Sequence, residues 1–136
     1  MAIDYSKRSL VERLGIKKNF RIIITNQPKN YNKMLGKLPK GVVLSKKLKG
    51  PFDFIHLFTK RREELEERFP ILKQELSQKG MLWISWPKVF SKIETDLNEN
   101  MVREIGLKNR LVDTKICAIN EDWSGLKFVY KLKDRK

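Results

Sequence analysis

Seven polar or aromatic residues lie at the ends of apolar runs, where open sheets usually bind ligands: Asn26, Gln27, Thr59, Trp86, Lys88, Trp123 and Ser124. A lysine supplies positive charge, and a tryptophan ring supplies a flat apolar face. Together these residue types suit a small anionic or planar ligand. The alternative interpretation is purely structural. Trp86 is then a core residue, Lys88 is solvated, and Trp123 closes the sheet edge above a turn that contains Ser124.

The sequence does not indicate catalytic or metal-binding residues. His56 is the only histidine, and it lies inside the apolar run FIHLF, which is typical of a core histidine. Ser124 needs a neighbouring base to act as a nucleophile. No Cys and His residues have metal-ligand spacing, and the glutamates of residues 63–67 have arginine neighbours on a helix face. We therefore expect no catalytic residue, no metal and no cofactor.

Six apolar runs predict strands at 20–26, 41–48, 51–58, 81–86, 111–119 and 125–132. Helical patterns lie between most of them. This alternation predicts one α/β domain over residues 1–136, a three-layer Rossmann-like fold with a mostly parallel sheet. The short connection between the last two runs predicts an antiparallel C-terminal hairpin. The carboxyl ends of the parallel strands bring Asn26, Gln27, Thr59, Trp86 and Lys88 to one edge of this sheet.

Several boundaries follow from single residues. A first helix is expected over residues 6–15, ending at Gly15, and a short one over residues 30–39. The clearest helix has an apolar face, ends at Gly80 and is kinked or split by Pro70; that face is made by Leu65, Phe69, Leu72 and Leu76. Asp96, with Glu99 three residues later, predicts the start of the next helix.

The run MLWISW at 81–86 contains two tryptophans three residues apart. Side chains alternate across a strand, so Trp83 and Trp86 are expected on opposite or offset faces of the sheet.

The composition is that of a globular protein. Of the 136 residues, 40% are hydrophobic and 34% are charged, which excludes a largely disordered chain. No apolar run of about 18 residues is present, so no membrane association is expected. The N-terminal residues lack the apolar core of a secretory signal, and a cytoplasmic location is the expectation.

The positive charge is concentrated in the N-terminal part of the chain. The net charge is +14, and residues 1–50 carry 13 Lys and Arg against 2 acidic residues. Such a surface attracts nucleic acid or other anionic partners through its summed field. A lysine-rich composition on solvated faces is the alternative, because no Arg-rich cluster or nucleic-acid motif accompanies the charge.

Six segments carry a resemblance to a known family: RIIITNQPKNY at 21–31, GPFDFIHLF at 50–58, LWISWPK at 82–88, TDLNENMVREIGL at 95–107, LVDTKICAI at 111–119 and DWSGLKFV at 122–129. Together they cover most of the chain. They resemble a family of small bacterial proteins catalogued as a domain of unknown function. That family is similar to reduced, Rossmann-like class I methyltransferases, whose last strand also inserts antiparallel to the rest.

The chain departs from that methyltransferase pattern at two places. The resemblance implies a Gly-rich turn after the first strand and an acidic residue after the second, both for S-adenosylmethionine. Here the turn reads NQPKNY, without glycine, and the second strand ends in Lys46 and Lys47. We therefore interpret the chain as a non-catalytic, methyltransferase-like binding or regulatory module. The alternatives are a small methyltransferase or other transferase with an atypical pocket around Asn26 and Trp86, and a nucleic-acid-associated protein.

Overall fold

A computed structural model describes residues 8–136. Residues 6 and 7 of the expected first helix, and residues 1–7 of the expected domain, lie outside the described residues. The helices and strands are α1 (Leu10–Leu14), β1 (Arg21–Thr25), α2 (Tyr31–Leu35), β2 (Val43–Leu44), β3 (Phe52–Phe58), α3 (Arg62–Gln74), β4 (Leu76–Pro87), α4 (Glu99–Lys108), β5 (Leu111–Ala118) and β6 (Trp123–Tyr130), followed by a 3-10 turn at Leu132–Asp134.

The strands of the described chain form one six-stranded sheet in the order β2-β1-β3-β4-β6-β5. The first four strands are mutually parallel. β6 is antiparallel to both β4 and β5, and it is inserted between them. The expected mostly parallel sheet with an antiparallel C-terminal pair is therefore confirmed.

Successive strand side chains point to opposite faces of the sheet, and both faces are apolar. Helices therefore cover both faces, and each face has its own apolar cluster. One cluster joins the sheet to α3 and α4 and contains Phe69, Phe128 and Trp86. The other joins the sheet to α1 and α2 and contains Trp83 and Tyr31. Trp83 and Trp86 thus lie on opposite faces, as their spacing predicts. These two clusters make the expected three layers.

The expected end of the third helix is wrong. α3 stops at Gln74, and Leu76 already belongs to β4, where it pairs with Phe52 of β3. Leu76 fits the helical spacing, but it is buried as a strand residue. Pro70 does not split α3. The carbonyl that loses its helical donor belongs to the exposed Glu66, where water satisfies it at little cost.

The expected N-cap of α4 is also wrong. Asn98 caps this helix, and its side chain accepts a hydrogen bond from the Met101 N–H at 2.9 Å. Asp96 instead accepts the N–H of Arg62, at the start of α3, at 2.7 Å. Asp96 therefore caps a helix that begins 34 residues earlier in the chain. α1, by contrast, ends as expected at Gly15, which has a left-handed backbone.

We predict that Gly106→Ala destabilises the fold although alanine favours helices. A Cβ at Gly106 in α4 meets the ring of Phe128 at 2.0 Å, and that ring packs edge-on against Phe69. Overpacking of this kind costs about 1–3 kcal/mol, which outweighs a gain of about 1 kcal/mol in helix propensity. Urea unfolding measures the difference. Glu104→Ala, at an exposed position of the same helix, is the control and should change stability by less than about 0.5 kcal/mol.

Candidate functional site

The carboxyl edge of the sheet contains the point where strand order reverses. β2 lies on one side of β1, and β3, the next strand in the chain, lies on the other. Open α/β sheets bind their ligands at such a point, outside the strand ends. Asn26 follows β1 here, and Thr59 follows β3. The pairing of Thr25 with Leu57 brings these two strand ends together.

Asn26 has a left-handed backbone, with φ at 58°. Glycine adopts this conformation most readily, and asparagine is among the few other residues that tolerate it. The turn after β1 thus keeps the backbone geometry that a glycine would supply. Asn26 and Gln27 are both exposed. The chain therefore leaves β1 with a left-handed backbone although it has no glycine at this turn.

Thr59 lies inside a hydrogen-bonded corner. Its side chain is buried, and its hydroxyl donates to Glu64 of α3. Its N–H donates to the Ser85 carbonyl at 2.9 Å. These bonds join the ends of β3 and β4 to the start of α3, so Thr59 contributes to the local structure of this edge.

An open cleft of about 800 Å³ lies at the end of β4. Of the residues predicted from the sequence, Trp86, Lys88 and Ser124 line it together. Trp86 and Ser124 are direct cross-strand partners in β4 and β6. The Trp86 side chain is only 5% exposed, so it forms the floor rather than a free wall. Lys88 is half-buried, and its N–H donates to the Asp122 carbonyl at 2.8 Å.

The other predicted residues do not line this cleft. Asn26, Gln27 and Thr59 lie at the ends of the neighbouring strands β1 and β3. Trp123 is buried on the opposite face of the sheet, where its ring packs edge-on against Phe58 at 5.1 Å. Adjacent strand residues point to opposite faces, so Trp123 and Ser124 are separated by the sheet itself.

The rim of the cleft is the segment 88–98, of which the sequence predicted only Lys88 as a site residue. Phe90 is 98% exposed, and Val89 beside it is exposed as well. The far end of the rim is attached to the β3–α3 junction: the Thr95 hydroxyl donates to the Lys60 carbonyl at 2.7 Å. The length of the segment was the available signal, because it exceeds the roughly 2–6 residues usual for a connection between a strand and a helix.

Two cations line the cleft, Lys88 and Arg61. Neither takes part in an ion pair within residues 8–136. Three carboxylates line it as well: Asp96 accepts the N–H of Arg62, Glu99 pairs with Arg103, and Glu94 has no partner within the same range. The lining thus carries both signs, and its aromatic floor and exposed aromatic rim suit a planar ligand with polar groups.

A buried hydrogen-bond chain lies beneath this edge. The Tyr31 hydroxyl is 2.8 Å from His56 Nδ1, and His56 Nε2 is 2.7 Å from Ser85 Oγ. Burial lowers the pKa of His56 to about 3, because the charged imidazolium loses its hydration there. His56 is therefore neutral and buried, as its apolar neighbours FIHLF predict.

Neither a protein-family model nor a curated protein matches the chain. Solved structures do match it. A putative type 11 methyltransferase from Sulfolobus solfataricus has a TM-score of 0.61 at 15% identity, over 98% of this chain and 96% of that one. An S-adenosylmethionine-dependent methyltransferase from Aquifex aeolicus has a TM-score of 0.61 at 15% identity, over 92% and 88%. This is a methyltransferase-like fold.

A third similar structure was solved with a ligand. It is the magnesium protoporphyrin IX methyltransferase from Synechocystis with bound SAH, which has a TM-score of 0.60 at 12% identity, over 90% of this chain and 78% of that one. At sequence identities this low, the structural similarity shows the fold of the chain alone. Among the described residues, no helix is long and apolar enough to cross a membrane.

We predict that His56 does not titrate between pH 5 and pH 8. His56 is the only histidine, so its ring protons give a single NMR signal to follow. Its folded pKa of about 3 lies below the value of about 6.5 for an unfolded histidine, so the unfolded state takes up a proton first as pH falls. Stability contributed by neutral His56 is present above pH 6.5, and about 2 kcal/mol of it is lost between pH 7 and pH 5.

Urea unfolding at both pH values measures this loss. His56→Asn, which cannot titrate, should lack this component of the pH dependence. A His56 signal that shifts with a midpoint near pH 6.5 would show that the imidazole is solvated, contrary to the prediction.

Proposed function

We propose that this chain is a small S-adenosylmethionine-dependent methyltransferase, or another transferase with an atypical pocket. The observation that carries the proposal is the open cleft beside the point of strand reversal. It occurs in a fold similar, over nearly its whole length, to proteins described as methyltransferases. This replaces the interpretation as a non-catalytic module as the leading candidate.

The strand ends fit S-adenosylmethionine at β1 and do not fit it at β2. The left-handed backbone of Asn26 fits the close approach that the cofactor needs after β1. The end of β2 lacks an acidic residue for the ribose hydroxyls, and the exposed Lys46 and Lys47 lie there. Asn26 and Gln27 are thus the residues to hold the cofactor, which supplies an activated methyl group when bound.

The residues of the cleft have separate roles in this proposal. Lys88 and Arg61 can contact an anionic group of the acceptor, beside the carboxylates that also line the cleft. Trp86 forms an apolar floor, and Phe90 offers a ring at the entrance. Ser124 supplies a hydroxyl that can orient a polar group of the acceptor.

We predict that S-adenosylmethionine and S-adenosylhomocysteine bind with micromolar affinity and that the backbone at residue 26 controls this binding. Asn26→Gly keeps the left-handed turn and removes the Cβ, so affinity should be retained or increase. Asn26→Val places a β-branched residue at φ 58°, which costs about 1–2 kcal/mol and should weaken binding about tenfold.

Isothermal titration measures both affinities. Gln27→Ala is the control, because it changes a side chain in the same turn and leaves the φ angle of residue 26 unchanged. Urea unfolding shows whether Asn26→Val still folds. Absence of binding by both compounds, to the wild type and to Asn26→Gly, would end the proposal of an S-adenosylmethionine-dependent methyltransferase.

The second candidate is a non-catalytic binding or regulatory module for a small anionic or planar ligand. The lysines at the end of β2 favour it, since they have the wrong charge for a ribose contact. Both candidates use the cleft, and only the methyltransferase needs S-adenosylmethionine. A binding module should bind neither S-adenosyl compound. A transferase should lose activity with Lys88→Ala while its stability is unchanged.

A further inference from the structure

Most of the excess positive charge of the chain lies in one continuous segment. Residues 13–52 contain 11 of the 30 Lys and Arg and none of the 16 acidic residues. The remainder carries 19 basic against 16 acidic residues, which is nearly balanced. A general lysine bias would not leave 40 consecutive residues without a carboxylate. The charge therefore belongs to a particular part of the fold, namely β1, α2, β2 and their connections.

All nine lysines of this segment are exposed: Lys17, Lys18, Lys29, Lys33, Lys37, Lys40, Lys46, Lys47 and Lys49. None of them takes part in the ion pairs found within residues 8–136. Their charges are therefore available to an external anion without loss of an ion pair.

The parallel strands place three of these lysines in a row with two further cations. β2, β1, β3 and β4 are consecutive neighbours, and a cation follows the carboxyl end of each. We call these residues the basic track: Lys46 and Lys47 after β2, Lys29 after β1, Arg61 after β3 and Lys88 after β4. Strands lie about 4.8 Å apart, so the track extends about 14 Å and ends in the cleft.

Carboxylates accompany the track at its cleft end. Glu94, Asp96 and Glu99 all line the cleft. Asp122 follows in the turn before β6, where its carbonyl receives the Lys88 N–H. The positive field is consequently strongest at the β2 and β1 end, and the cleft end has both signs.

We infer that the basic track binds the phosphate backbone of single-stranded nucleic acid. Cations placed along a line suit repeated phosphates, whereas one free phosphate needs donors that converge on a point. Lysines act as flexible point charges, which suits contacts that do not depend on sequence. The exposed ring of Phe90 at the cleft end offers a stacking face for an unpaired base, which a duplex does not present. This inference is independent of methyl transfer.

The first test is fluorescence anisotropy of a labelled single-stranded oligonucleotide of about 20 nucleotides, long enough to cover one site. About four phosphate contacts predict that affinity falls about 50-fold between 50 mM and 200 mM salt. Lys46→Glu with Lys47→Glu should weaken binding at least tenfold and reduce the salt slope by about 1.4. Phe90→Ala should weaken binding to the single strand about tenfold and leave duplex binding unchanged.

The matched control is Lys108→Glu with Lys133→Glu, which makes the same change in net charge. Both lysines are exposed. Lys133 follows β6, which is antiparallel to β4, so it lies at the opposite edge of the sheet. Affinity should change less than about threefold, because screening confines the field of each charge to roughly 10 Å.

Three results would overturn the inference. The first is absence of binding to the single strand at 50 mM salt. The second is an equal loss in the two double variants, which would mean that only net charge matters. The third is preferential binding to duplex, to inorganic polyphosphate or to anionic lipid vesicles. Titration with S-adenosylmethionine tests the transferase proposal separately, so either proposal can fail alone.

Discussion

The hydrogen-bond chain from Tyr31 through His56 to Ser85 connects three elements that the candidate site needs in fixed positions. Tyr31 begins α2, His56 lies in β3, and Ser85 lies in β4. Each group is buried, and an unpaired buried polar group costs about 1–3 kcal/mol, so the native arrangement is favoured over any shift of α2 along the sheet. Gly125 leaves the room for this chain, because a Cβ there meets Ser85 Oγ at 3.2 Å.

The two faces of the sheet are consequently unlike. The face beneath α3 and α4 has an apolar core in which Phe128 packs against the backbone of Gly106. The other face combines the hydrogen-bond chain with stacked rings, since His56 lies 4.3 Å from the Phe58 ring and Phe58 contacts Trp123. α2 and the turn before it are thereby held on the polar face, and the cleft opens beside the apolar one.

Most of the architecture could be predicted from the sequence, because strands buried on both faces are visible as apolar runs. The errors arise where local pattern and tertiary contact disagree. Leu76 satisfies a helical spacing, and only its pairing with Phe52 makes it a strand residue. For the site, strand ends predicted that Trp86 and Lys88 would share a cleft. Arg61 and Phe90 were missed, because irregular segments carry no periodicity.

The hydrogen bond between Asp96 and the start of α3 has a mechanical consequence for the cleft. An outward movement of the rim breaks this bond and leaves the Arg62 N–H without its cap, which costs about 1 kcal/mol. The helix itself is anchored in the core through Leu65 and Phe69. The closed rim is therefore favoured over an open one, and less ordering entropy is lost when a ligand enters.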